Sequence, residues 1–300
     1  MYRSGIKRSR FRLFIQAAAF AFQNGYVKGF LKGNIYKGPL KRFCAPGLNC
    51  YSCPGAIASC PIGALQAVSG ARGFGVSLYV IGFIVAVGAL SGRFVCGWLC
   101  PFGLAERLLY KIPLMKKRKS LPGHRVLKWA KYVILALFVF LLPLLSGSPA
   151  FCEWICPSGT LFGAIPLLAV NESLRSLIGS TFFFKLFLLA LIIVLSVKYS
   201  RPFCKYLCPL GALYGLFNPV SLYHFTVDMD KCTGCGACEK VCPMDVKVRE
   251  NPDSMECIRC MECSKVCTAE AIRFSIELRD GKCLNSHHDR HRDSKQRKTT

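Results

Sequence analysis

Long apolar runs alternate with polar, basic segments over the first two thirds of the chain. Three runs, at 74–90, 129–145 and 182–197, approach the ~20 apolar residues that cross the hydrocarbon core of a bilayer. A fourth run at 13–27 is weaker because Gln16, Gln23 and Asn24 interrupt it, so it either spans the membrane or lies in its interface. We expect four membrane-spanning helices, near 11–27, 74–92, 128–146 and 181–198, since an even number keeps both termini on one side.

The charges of the loops predict how these helices are oriented. Nine Lys and Arg residues lie between Arg93 and Lys128, whereas the loop at 147–180 contains only Arg175. Positively charged loops stay in the cytoplasm, so the first loop and everything after Lys198 are expected to be cytoplasmic. The segment at 25–73 carries six basic residues and no acid, which this rule does not explain.

Composition favours a membrane protein over a nucleic-acid-binding one. Of the 300 residues, 52% are hydrophobic and 19% are charged, which is too apolar for an ordinary soluble domain. The 40 Lys and Arg residues outnumber the 16 Asp and Glu residues and give a net charge of +24, but apolar runs separate the basic clusters. We therefore expect membrane lipid, and no nucleic acid, as a partner.

A short cysteine pattern, Cys-Pro-x-Gly, recurs four times in the membrane region. In its last three copies a second cysteine stands four residues earlier. Proline is favoured in the first turn of a helix, so each pattern predicts a cysteine just before a helix. Free N–H groups and the positive end of the helix dipole would there stabilise a negatively charged cluster. The four copies begin at Cys60, Cys100, Cys156 and Cys208, and the earlier cysteines are Cys96, Cys152 and Cys204.

The expected topology divides these cysteines between two sites. The second and fourth spans run in the same direction, so Cys96, Cys100, Cys204 and Cys208 are expected to hold one 4Fe–4S cluster at the inner membrane face. The third span runs the other way and places its cysteines on the outer face. A second iron site, with a disulfide as the alternative, is expected there from four of six cysteines: Cys44, Cys50, Cys53, Cys60, Cys152 and Cys156.

After Tyr223 the chain becomes polar and carries two complete C-x2-C-x2-C-x3-C runs. These runs resemble the bacterial two-cluster ferredoxin domain, in which the fourth cysteine of each run binds the other cluster, and their spacing favours iron–sulfur clusters over zinc. The short apolar segments 225–227 and 272–276 are expected to pair as strands. The resemblance implies one cluster on Cys232, Cys235, Cys238 and Cys267, and a second on Cys257, Cys260, Cys263 and Cys242.

The chain as a whole is expected to be mainly α. A four-helix polytopic membrane core with cysteine-rich loops would occupy 1–223, and a small α+β two-cluster bacterial ferredoxin-like domain would occupy 224–276. A basic, disordered tail would follow at 277–300 and include Cys283. The cofactors expected are 4Fe–4S clusters, two in the ferredoxin-like domain and one or two in the membrane core.

This combination resembles the membrane-bound iron–sulfur quinol dehydrogenase subunit that accompanies periplasmic nitrate reductase, and the nitrous-oxide reductase maturation proteins. The resemblance implies a multi-pass protein of the plasma (inner) membrane of a prokaryote, with its ferredoxin domain in the cytoplasm. Such a protein moves electrons between a cytoplasmic low-potential carrier and a redox protein on the outer face. It is a component of an oxidoreductase rather than a stand-alone enzyme.

Two alternatives stay open at this stage. One is a quinol-oxidising subunit, which would bind quinone, and the other is a non-catalytic redox-sensing or assembly protein. The extra cysteines at 44–60 depart from the plain pattern of the family. They suit an outer partner that carries a flavin. The residues do not encode the direction of electron flow.

Overall fold

A computed structural model describes residues 2–70 and 78–276 of the chain. The expected tail at 277–300, with Cys283, and the first residues of the second expected span lie outside the described residues. The α-helices within the described ranges are α1 Tyr2–Gln23, α2 Val27–Lys32, α3 Pro61–Gly70, α4 Leu78–Ser91, α5 Phe94–Trp98, α6 Pro101–Lys111, α7 His124–Leu127, α8 Ala130–Ile134, α9 Leu142–Ser146, α10 Ile165–Val170, α11 Ser180–Lys198, α12 Pro202–Tyr206, α13 Pro209–Phe217, α14 Ala237–Val241 and α15 Glu262–Val266.

The expectation of a mainly helical chain is confirmed, whereas a core of four spanning helices is not. In the described part of the chain, His124–Ser146 and α11 are the helices long and apolar enough to cross a membrane by length and composition. The first of these joins α7, α8 and α9 through a π-helical stretch at Leu135–Leu141. Helix α4 and the helical stretch Gly159–Val170 are apolar but shorter than a usual span.

Helix α1 turns its polar side chains toward the protein. Arg12, Gln16 and Gln23 are buried, and each donates to a main-chain carbonyl in or near α5: Arg12 and Gln16 to that of Gly97, Gln23 to that of Leu99. The opposite surface carries large exposed apolar side chains, among them Phe11, Phe14 and Phe22. The polar residues that lower the hydropathy of this segment are therefore internal, and its outward surface is apolar.

The polar C-terminal region forms a small α+β unit. Strand β1 (Tyr223–Val227) pairs antiparallel with β2 (Ile272–Ile276), with Phe225 opposite Phe274. The predicted pairing of these two segments is confirmed, and β1 begins two residues earlier than expected. Between the strands lie α14 and α15, which pack against each other. The sheet therefore joins the beginning and the end of the cysteine-rich segment.

The described residues before Tyr223, which we call the membrane region after the spans expected there, bury side chains around the cysteine segments rather than forming a separate core. Phe203 and Tyr214 are fully buried, and the Phe203 ring meets the Phe102 ring edge-on at 4.9 Å between centroids. Helix α13 packs against α8, α4 and α3, and α6 packs against α11 and α1. Burial at this level contributes about 1.5–3 kcal/mol for each large apolar side chain, so these contacts hold the cysteine segments in fixed positions.

Candidate iron–sulfur sites

Each Cys-Pro-x-Gly motif places its cysteine at the start of a helix. Proline is the first residue of α3, α6 and α13, and a helical turn also begins at Pro157. The N–H group of Gly211 donates to the Cys208 Sγ at 3.4 Å. In the other copies burial raises the pKa of the cysteine, and the motif glycine, Gly63, Gly103 or Gly159, opposes that rise. The predicted helix starts are confirmed, and the Cys208 thiol caps its helix.

Four of these cysteines, Cys96, Cys100, Cys204 and Cys208, converge in the membrane region; we call them the Cys100 group. Burial raises the pKa of Cys208, and the charges of Cys96 and Cys100 raise it further. Burial likewise raises the pKa of Cys204 well above its ordinary value, with contributions from Glu106, Cys208 and Cys100. The structure thus brings together the four cysteines that the topology assigns to the inner face.

A second set in the membrane region consists of Cys50, Cys60, Cys152 and Cys156; we call it the Cys60 group. Burial raises the pKa of Cys156 well above its ordinary value, and Cys152, Cys50 and Cys60 raise it further. Burial, Cys152 and Cys50 raise the pKa of Cys60 to about 12. A Cβ atom on Gly63 would lie 3.8 Å from the Cys152 Sγ and from the Cys60 Cβ, and one on Gly159 would lie 3.8 Å from the Cys50 Sγ, so these cysteines lie around two neighbouring motif glycines.

Two of the six cysteines considered for the outer site lie outside this set. Burial alone raises the pKa of Cys44, with no thiol among its causes. Cys53 lies near Cys50, but its Sγ donates to the Asn24 Oδ1 at 3.4 Å. The sequence leaves open which four of the six cysteines form the outer site. The fold of the segment around Cys50 favours the four members of the Cys60 group.

Cationic and amide groups surround the Cys60 group. Lys41 is buried and lowers the pKa of Cys50 and Cys53, although burial raises both overall. The Lys185 ammonium donates to the Cys152 carbonyl at 3.2 Å. Gln66 donates through Nε2 to the Cys152 Sγ at 3.2 Å, while its Oε1 accepts the N–H of Phe151. The buried positive charge of Lys41 offsets negative charge on the neighbouring thiolates.

The C-terminal unit arranges its eight cysteines as two further sets. Cys232, Cys235, Cys238 and Cys267 line an open cavity of about 740 Å³; we call them the Cys232 group. Cys242, Cys257, Cys260 and Cys263 line a narrower cavity with Met244 and Phe225; we call them the Cys257 group. Each set takes three cysteines from one run and the fourth from the other, as the ferredoxin resemblance implies.

The chemistry of these groups fits iron–sulfur clusters. Every one of the 18 cysteines that the structure describes is a free thiol, and most are buried. Buried thiolates need compensation, which the motif N–H groups and neighbouring cations provide. In the described ranges no three His, Cys, Asp or Glu side chains converge closely enough to hold a single metal ion. The thiolates of a 4Fe–4S cluster bind different iron atoms, so they need not converge on one point.

Comparisons with known proteins agree with this chemistry. A family profile described as a 4Fe-4S binding domain matches residues 73–122, 132–169 and 181–223, and a second 4Fe-4S binding domain matches residues 225–248. An uncharacterized protein of Methanocaldococcus jannaschii is 35% identical over 204 residues, which cover 66% of this chain and 70% of the relative. The ferredoxin-type protein NapH of Escherichia coli is 27% identical over 213 residues, which cover 66% and 67%.

The methylamine utilization ferredoxin-type protein MauN of Paracoccus denitrificans is 27% identical over 231 residues, which cover 76% of this chain and 72% of MauN. No solved structure matches the chain. The chain belongs to the family of ferredoxin-type iron–sulfur electron-transfer proteins. The resemblance stated from the sequence is confirmed at this level, as are 4Fe–4S binding and a role in electron transport.

Sequence reasoning missed three side chains that this family member places beside its cysteine groups. Arg93 and Arg201 are buried against the Cys100 group, and Gln66 contacts the Cys60 group. A signal for the arginines exists: each stands three residues before the first cysteine of its pair. Gln66 has no such signal, because its role depends on how α3 packs against the segment at 151–156.

Proposed function

We propose that the chain is a multi-pass protein of a prokaryotic plasma membrane that carries electrons between a cytoplasmic low-potential carrier and a redox protein on the outer face. The observation that carries the proposal is the division of sixteen cysteines into four groups, which we place in the order Cys232 group, Cys257 group, Cys100 group and Cys60 group. A 4Fe–4S cluster in each group would accept and release one electron at a time. The sixteen cysteines of these groups are the proposed ligands.

Contacts between α5 and the C-terminal unit support the first part of the series. The Trp98 indole N–H donates to the Arg259 carbonyl at 3.0 Å, and Asn218 donates to the Cys257 carbonyl at 2.8 Å. A Cβ atom on Gly97 would overlap the Ile258 carbonyl oxygen, so the two segments touch through their backbones. The loop that carries Cys257 and Cys260 therefore rests directly on the segment that carries Cys96.

The segment between Cys44 and Cys60 supports the second part. The main chain at Gly47 and Leu48 packs against Cys100, where a Cβ atom on Gly47 would lie 2.9 Å from the Cys100 Cα, and Cys50 belongs to the Cys60 group. Because consecutive Cα atoms are about 3.8 Å apart, those of Leu48 and Cys50 are separated by at most about 7.6 Å. Tyr214 is fully buried. Burial raises the pKa of its hydroxyl, and so do cysteines of both groups, Cys96, Cys100 and Cys60, together with Cys44.

Two observations support the membrane topology. The outward surface of α1 is apolar, which suits a lipid-facing helix whose polar residues are satisfied internally. The basic loop after α6 contacts the C-terminal unit, where the Lys119 ammonium donates to the Glu239 carbonyl at 2.8 Å. Basic loop and ferredoxin-like unit therefore share one side, which the positive-inside rule makes the cytoplasmic side.

The experiment is electron transfer across a sealed membrane. Protein purified without oxygen should contain iron and acid-labile sulfide in equal amounts, about 16 of each per chain. Reconstituted into liposomes that enclose ferricyanide, it should reduce the enclosed ferricyanide when dithionite is added outside. Cys100→Ala should abolish this transfer, with Cys44→Ala as the matched control. Stoichiometric zinc without labile sulfide, or undiminished transfer by Cys100→Ala, would refute the proposal.

A further inference from the structure

Two buried arginines occupy the same position in two copies of the cysteine repeat. Arg93 precedes Cys96 by three residues, and Arg201 precedes Cys204 by three. In the third copy that position is Pro149. The two arginines are 0% and 3% exposed. Because a buried guanidinium is costly unless it is paired and hydrogen-bonded, the contacts of these two side chains indicate what they do.

Each arginine crosses to the other copy of the repeat. Arg201 donates through Nη1 to the Cys96 carbonyl at 3.0 Å, and Arg93 donates through Nη2 to the Cys204 carbonyl at 3.2 Å. A Cβ atom on Gly211 would lie only 3.0 Å from the Arg93 Nη2, so the motif glycine leaves room for the guanidinium. The two cysteine pairs of the Cys100 group are thus fixed to each other by reciprocal bonds.

Beyond this shared contact the two arginines differ. Arg93 Nη1 donates to the Met255 carbonyl at 2.9 Å and to the Glu256 carboxylate at 3.0 Å. Glu256 immediately precedes Cys257, and Lys131 forms a second ion pair with the same carboxylate. Arg201 instead faces Glu106 of α6, within the membrane region. One guanidinium therefore holds the Cys100 group and the Cys257 group at once, and the other holds the Cys100 group alone.

We infer that Arg93 is a positioning residue that couples the Cys257 group to the Cys100 group. It touches no reacting atom. Its planar guanidinium binds the Cys204 carbonyl and the segment just before Cys257 at once, and this fixes the distance between the two sites. Without it, Glu256 keeps Lys131 as a partner and Asn218 keeps its bond to the Cys257 carbonyl, but the loop at 254–260 loses its link to the Cys204 carbonyl. This inference rests on the proposed function, because it assigns Arg93 to the transfer step between two of its sites.

The test compares Arg93→Gln, Arg93→Lys and Arg201→Lys in the full-length protein. Amide hydrogen exchange in the 254–260 segment should become about 10- to 100-fold faster in Arg93→Gln, because charge-assisted hydrogen bonds are lost. Arg93→Lys should be intermediate, since an ammonium can retain only part of the forked contact. Arg201→Lys should leave exchange in this segment unchanged, because that side chain does not reach it.

A second measurement reads the distance between the sites in the same variants. When the clusters of the two groups are both paramagnetic, their EPR signals should broaden each other in the wild type. This broadening should decrease in Arg93→Gln and persist in Arg201→Lys. Equal effects of the two arginines, or unchanged exchange and broadening in both Arg93 variants, would overturn the inference. Failure of the proposed function is distinguishable, because the wild type would then show no cluster signals at all.

Discussion

Leu48 and Cys50 are two residues apart, yet Leu48 lies beside the Cys100 group and Cys50 belongs to the Cys60 group. The N–H of Leu48 is close enough to the Cys100 thiol to oppose the rise that burial causes in its pKa, whereas the Cys50 thiol lies near Cys60 and Cys156. The hydrocarbon core of a bilayer is about 30 Å thick, and sites at its two faces would be too far apart to exchange electrons directly. Here the segment between Cys44 and Cys60 lies beside both groups, so local chain geometry limits their separation.

The division of the membrane cysteines into two groups predicts which variants share a phenotype. Cys100→Ala and Cys208→Ala should each abolish the same EPR signal, because each removes one ligand of a common cluster. Cys156→Ala should spare that signal and remove a different one, and the signals of the ferredoxin-like unit should survive all three changes. If Cys100→Ala and Cys156→Ala delete one common signal while Cys208→Ala is silent, the grouping is wrong.

The position of Cys50 predicts a difference among the cysteines of the 44–60 segment. Cys50→Ser should eliminate the signal of the Cys60 group and lower the iron content by about four atoms, since a four-thiolate site loses a ligand. Cys44→Ser is the matched control and should retain both, because no other thiol influences Cys44. Iron analysis and EPR on the two variants decide the matter. An equal loss in both would show that Cys44 belongs to the site.

The close approach of Gly97 to Ile258 predicts a sensitive glycine. Gly97→Ala should separate α5 from the loop that carries Cys257, because the new Cβ overlaps a carbonyl oxygen that cannot move freely. Overpacking of this kind costs about 1–3 kcal/mol, which thermal unfolding in detergent should register. Gly82→Ala on α4 meets nothing within 4 Å and should leave the unfolding temperature nearly unchanged. Similar shifts for both variants would contradict the proposed contact.

Removal of iron should unfold the ferredoxin-like unit before the membrane region. The unit at 224–276 is small, with one two-stranded sheet and two short helices, so it buries little apolar surface and bound metal would contribute much of its folding free energy. After treatment with an iron chelator and a reductant, amide protons at 228–271 should exchange much faster, while those of α11 stay protected. Added zinc should not restore the protection. Persistent protection at 228–271 would show that the polypeptide alone stabilises this unit.

The topology predicts which basic residues trypsin can reach from each side. Lys116 and Arg175 are both exposed, and we place them on opposite sides of the membrane. In intact spheroplasts trypsin should cut after Arg175 and not after Lys116; in inverted vesicles the preference should reverse. Mass spectrometry of the fragments identifies the cleaved bond. Cleavage after Lys116 in intact spheroplasts would require a redrawn topology.

Local signals in the sequence were sufficient for the helix starts and for the paired strands. A proline after a cysteine marks where a helix begins, and two short apolar segments mark β1 and β2. The assignment of Cys50 was beyond such signals, because it depends on the inward fold of a whole segment. The role of α1 was obscured for a similar reason: Gln16 and Gln23 interrupt an apolar run, and only tertiary contacts show that they face inward.

The inward polar side of α1 also determines when this helix can pack against the rest of the protein during biogenesis. Arg12 binds the carbonyls of Gly97 and Cys260, so its partners are synthesised long after α1 itself. In the proposed membrane topology, lipid would surround a guanidinium and amide groups until those partners exist, and this costs several kcal/mol. Helix α1 is thus synthesised before the residues that bind its polar side, and its final packing follows the synthesis of the C-terminal unit.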